Sequence, residues 1–185
     1  MSAPASTGRW AAAIRSLGWV LLVLFAACGP KHGRPVQGAR DPDNDATALL
    51  RAMATCERGD KAKAIDEFLR IDFKQQPLFP PSSPLSLTER QFSSMVATYP
   101  GRKVEAAGKA LEAELRKLKA LCTGVIDDGN DAARNREFAK ARQRFTKIGE
   151  CGEALDGPNS LAILKLAGQA LKKRASQELV SLPMQ

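Results

Sequence analysis

The chain has 185 residues and a formal net charge of +8, with 44% hydrophobic residues, 5% aromatic residues, four cysteines and a single histidine, His32. Such a composition suits one globular domain with an extra segment at one end. A Ser-His-Asp triad would need His32 itself, and a zinc site would rest almost entirely on thiolates and carboxylates, so most hydrolase and metalloenzyme chemistry is disfavoured.

Residues 1–27 hold no acid and two arginines, Arg9 and Arg15. An apolar run over 17–27 follows, ending in Ala26-Ala27 before Cys28. Charged start, apolar centre and small-residue exit are the parts of a secretory signal, and the run is shorter than the roughly 20 residues a membrane-spanning helix requires. Leu24-Phe25-Ala26-Ala27-Cys28 resembles the lipobox of bacterial lipoproteins, with Phe25 where Leu is usual. The resemblance implies cleavage after Ala27, acylation of Cys28 and a lipid-anchored protein outside the cytoplasm, on the cell membrane or the outer membrane. An ordinary signal peptide cut at the same place, or an uncleaved anchor, are the alternatives.

Cleavage would lower the net charge by two and leave a basic chain beside an anionic surface. Residues 28–43 then carry the lipidated cysteine and a tether with three Gly and three Pro, a composition that resists packing. Lys31, Arg34 and Arg40 in that tether suit anionic head groups, and His32 reads there as a solvated side chain.

From residue 44 to 182 the apolar positions recur at three and four, with no sustained alternation, which predicts an all-α domain of about six helices and a short tail at 183–185. A first helix is expected over about 45–57, capped by Asn44 or Asp45, with Ala48, Leu49, Ala52, Met53 and Cys56 facing inward. A second is expected over about 60–72 on Ala64, Phe68 and Ile71. Four prolines between 77 and 84 forbid a helix there, and Leu78 and Phe79 should pack back from that loop. Ser86-x-x-Glu89 has the spacing of a capping box, so a third helix should start near Leu87 and stop before Tyr99-Pro100-Gly101.

The stretch Asp127-Asp128-Gly129-Asn130-Asp131 reads locally as a loop. Yet Leu111, Leu115, Leu118, Cys122, Val125, Gly129 and Ala132 keep four-three spacing through it. A loop would reset that phase, so one helix over about 102–134 is expected, with Asn135 as a left-handed stop; a break at 127–131 is the alternative. Helices over about 137–154 and 160–181 complete the domain.

Residues 62–71 align without gaps on residues 139–148, five of ten positions being identical. With Gly59-Asp60 before it, the first copy, Ala64-x₃-Phe68-x₂-Ile71, resembles the second helix of a tetratricopeptide repeat. The resemblance implies paired antiparallel helices and a protein-binding scaffold rather than an enzyme.

With Cys28 acylated, Cys56, Cys122 and Cys151 remain. If the chain turns near residue 135, Cys122 and Cys151 stand at similar heights on adjacent helices and can form a disulfide; if it turns at 127–131 they cannot. The cysteines are too far apart in sequence, with no CxxC, for a metal site, and no cofactor is expected.

Arg134, Arg136, Lys140, Arg142, Arg144 and Lys147 are opposed within their stretch only by Glu137. This predicts a basic face, centred on Arg136, Lys140, Arg144 and Lys147, for an envelope protein partner or an anionic surface. Phe138 and Phe145, the aromatics within this stretch, fall on the inward stripe of their helix, and export removes nucleic acid as a partner. Carboxylates such as Glu112 and Glu114, or Asp127 and Asp128, lack the stacking cleft of an envelope glycan enzyme. The expected function is therefore that of a lipid-anchored interaction scaffold, with a structural or anionic-surface-binding lipoprotein as the alternative.

Overall fold

The computed structural model describes residues 47–74, 78–98 and 101–183. The leader, Cys28, the tether with its basic residues, and the expected caps Asn44 and Asp45 lie outside the described residues. Those described form an all-α domain of six helices with no strand: α1 Ala48–Glu57, α2 Lys61–Leu69, α3 Glu89–Thr98, α4 Arg102–Arg134, α5 Phe138–Leu155 and α6 Ala162–Ser181.

The helix starts are set by side-chain oxygens that take up free backbone N–H groups. Thr47, not Asn44 or Asp45, caps α1, its Oγ1 accepting from the Leu50 amide at 3.5 Å. Asp60 caps α2 through the Lys63 amide at 3.1 Å, after Gly59 turns the chain at a φ of 92°. Leu49, Ala52 and Met53 of α1 bury against Ala64 and Phe68 of α2 to make the first hairpin.

The second helix ends at Leu69, short of the expected residue 72. Asp72 accepts from the Lys74 amide at 3.0 Å, forming a local turn that competes with helix. Phe73 then folds onto Phe68 with ring centroids 5.1 Å apart. Leu78 and Phe79 do pack back into the core, and Ser83 opens a 3₁₀ turn over Pro84–Ser86 by accepting from the Leu85 amide at 3.2 Å.

The capping box of α3 is shifted by two residues from the expected one. Thr88 Oγ1 accepts from the Gln91 amide at 3.2 Å while Gln91 Oε1 accepts from the Thr88 amide at 2.8 Å. Ser86 is already committed, donating its hydroxyl to the Ser83 carbonyl at 2.8 Å. Glu89 reaches across the fold instead, accepting from the Ala162 amide at 2.9 Å and capping the start of α6.

Helix α4 runs unbroken through Asp127-Asp128-Gly129-Asn130-Asp131. Gly129 is buried under Phe145, and a Cβ there would stand 2.7 Å from the ring. Asp128 is matched by Arg144 of α5 at 2.8 Å, and Asp131 by Arg134 at 2.8 Å. The residues that read as a loop are therefore a glycine seat for an aromatic ring, with Asp128 and Asp131 paired.

The stop of α4 falls one residue later than expected. Asn135 has a φ of −81°, and Arg136 takes the left-handed position at 62°. The Glu137 amide donates to the Ala132 carbonyl at 2.8 Å and the Arg136 amide to the Ala133 carbonyl at 3.0 Å. These two bonds make a Schellman stop that reverses the chain into α5.

The last two helices pack along a crossing at which Gly152 and Gly168 meet. A Cβ on either would lie within 2.7 Å of the other's carbonyl oxygen. One core runs from α1 through α4 and α5 to the start of α6, and a smaller cluster of Ala132, Ala141, Phe145 and Leu182 closes the far end.

Candidate functional site

Two sites emerge from this framework, a cleft at the α4–α5 turn and a set of thiols in the core. The four residues of the expected basic face divide between surface and interior. Arg136 is exposed at the turn, and Lys140 is exposed and paired with Glu137 at 3.2 Å. Arg144 turns inward, its side chain 12% exposed, and binds Asp128. Lys147 does the same: its ammonium donates to the Ile71 carbonyl at 2.9 Å, pairs with Glu150 at 2.7 Å and stands 5.7 Å from the Phe73 ring centroid.

The expected face is thereby divided between exposed and inward-turned cations. Asp128 and Glu150, which lie outside residues 134–147, take two of its four cations. In the run Lys172-Lys173-Arg174 of α6, Lys172 is bound to Asp156 at 2.6 Å and Arg174 to Glu178 at 2.6 Å. The Lys172 ammonium holds the Asp156 carboxyl below its ordinary range.

What remains is a cleft of about 500 Å³ between the α4–α5 turn and the C-terminal end of α6. Its lining is mixed: Phe138, Phe145 and Leu182 are its apolar part, and Arg134, Arg174 and Glu178 its charged part, with Arg174 held by Glu178 and Arg134 by Asp131. The tail after α6 forms one wall, held where Arg142 donates to the Pro183 carbonyl at 3.3 Å. Leu182 was missing from the sequence reading because nothing local marks a residue beyond a helix end as part of a core.

The continuous α4 brings Cys122 and Cys151 together. Both are buried free thiols, on α4 and α5, and Cys56 of α1 is a half-buried free thiol in the same core. Contact with Cys122, then burial, pushes the Cys151 thiol well above its ordinary range. Burial raises Cys56 despite the opposing charge of Lys61.

Among the described residues no group of three or more His, Cys, Asp or Glu side chains is placed to hold a metal ion, and no helix is long and apolar enough to cross a membrane. No protein-family model matches the chain, and no curated protein or solved structure matches it significantly.

Proposed function

We propose that this chain is an exported bacterial lipoprotein, acylated at Cys28, whose helical domain is a tetratricopeptide-like protein-interaction scaffold in the cell envelope. The leader supports the address, and the two buried Ala-x₃-Phe-x₂-Ile motifs support the likeness of the hairpins. The observation that carries the binding role is the cleft in which Phe138, Phe145 and Leu182 lie beside Arg134, Arg174 and Glu178. That combination suits an amphipathic, acidic segment of a partner: the aromatic lining takes an apolar side chain, and a partner carboxylate competes with Asp131 and Glu178 for the Arg134 and Arg174 guanidiniums.

The test has two arms. Intact-mass spectrometry of protein recovered from native membranes should show an N-terminal, acylated Cys28, and Cys28→Ser should move the protein to the soluble fraction; a bare Cys28 or a retained leader would overturn the address. Cross-linked pull-down should lose a partner at least tenfold with Arg134→Glu/Arg174→Glu, while circular dichroism shows the fold intact. Equal recovery by the charge-reversed domain would sink the cleft as the binding site.

A further inference from the structure

The cores of α1, α4 and α5 converge on three thiols, and their order from surface to interior is itself informative. Cys122 lies twelve residues before the last residue of α4 and Cys151 thirteen after the first residue of α5. On antiparallel helices joined by a tight reversal, that difference of one residue is about 1.5 Å of height. Both side chains face the shared core, and each is at most 2% exposed. Cys56, on the exposed end of α1, is the most accessible of the three and packs on the same cluster.

The chain also offers these thiols little competing chemistry. No metal-binding constellation surrounds them among the described residues, and nothing in the proposed cleft uses them. Two thiols in contact on neighbouring helices, with a third leading out to solvent, have the arrangement of a dithiol and its entry point.

We propose that Cys122 and Cys151 form a disulfide that joins α4 to α5, and that Cys56 is the thiol through which a disulfide oxidant delivers the oxidising equivalents. The Cys56 thiolate attacks one sulfur of the oxidant, giving a mixed disulfide and releasing one thiol. The Cys122 thiolate then attacks the Cys56 sulfur and expels the second oxidant thiol. Finally the Cys151 thiolate attacks Cys122, and Cys56 leaves as a thiolate that takes up a proton. Two protein thiols are oxidised, the oxidant disulfide is reduced to two thiols, and Cys56 ends as it began.

The reaction does not rest on the chain's cellular address, so it is tested on the purified full chain in detergent, carrying Cys28→Ser so that three thiols remain. The reduced protein is incubated with oxidised glutathione, quenched with an alkylating reagent at intervals and mapped by non-reducing mass spectrometry. The expected product links Cys122 to Cys151 and leaves Cys56 alkylated, with a glutathione adduct on Cys56 appearing first. Cys56→Ala should slow formation of the bond at least tenfold without preventing it once the chain is briefly unfolded in denaturant.

Three alkylated cysteines after prolonged oxidation, or an end product that includes Cys56, would overturn the disulfide. A Cys56→Ala variant that oxidises at the parent rate would overturn the entry role. Circular dichroism and urea unfolding of Cys56→Ala establish that it is folded, and Cys56→Ser serves as a second variant should the alanine fail.

Discussion

The ammonium of Lys147 donates to the main-chain carbonyl of Ile71 at 2.9 Å, tying the two copies of the internal repeat to each other. Lys147 belongs to the second copy and Ile71 ends the first, where α2 has just unwound and its carbonyl has no helical partner. A cation that reads as surface charge thus caps a part-buried carbonyl just beyond the end of α2.

Lys147→Met keeps the length of the side chain and removes its donors. It should destabilise the domain by about 1–3 kcal/mol, the cost of leaving a part-buried carbonyl unpaired. Lys140→Met, at an exposed position on the same helix, should change stability by less than about 0.5 kcal/mol. Urea unfolding of both variants separates the two roles; equal effects would contradict them.

Gly129→Ala forces a methyl into the edge of Phe145, whose ring is enclosed by the smaller core cluster. The expected loss is about 1–3 kcal/mol from overpacking. Gly124→Ala, in the same helix with nothing within 4 Å of a new Cβ, should instead gain up to about 1 kcal/mol in helix propensity. Thermal unfolding reads the opposite signs directly.

Arg136 holds a left-handed conformation that glycine adopts freely. Arg136→Gly should therefore stabilise the α4–α5 reversal by about 0.5–1 kcal/mol, since the backbone bonds of the stop do not involve its side chain. A fall in stability on substitution would mean that the arginine side chain, and not the backbone, sets the turn.

Asp156 is bound to Lys172, and its carboxyl is more acidic in the folded chain than its ordinary value of 3.8. A depressed folded value means that the contribution is complete above pH 3.8 and is lost as pH falls through the lower folded value. The stability difference between the parent and Asp156→Asn should accordingly be largest above pH 5 and shrink on acidification. A difference that stays constant down to pH 2 would rule out the ion pair as its source.

The long helix was legible because its spacing of apolar positions is a property of the whole segment, which outweighs five residues that look like a loop. Gly129 and Asp128 became intelligible only with Phe145 and Arg144 in place, since each answers a partner on the next helix. Caps were legible in kind but not in position. Ser86-x-x-Glu89 and Thr88-x-x-Gln91 both have the spacing of a capping box, and the choice between them is made by tertiary demands: the 3₁₀ turn that occupies Ser86 and the α6 amide that engages Glu89. The inward turn of Arg144 was illegible for the same reason, because Asp128 neutralises it from a different helix.

Where Gly152 meets Gly168, main chain rests on main chain and no rotamer change can relieve a substitution. A descendant sequence can exchange its surface charges, its tether and even its apolar residues in volume-matched sets, but it cannot enlarge either of these two positions and keep the crossing. Kinship to this chain is therefore better sought in that pair of glycines, sixteen residues apart across a turn, than in the parts of the chain that carry its charge.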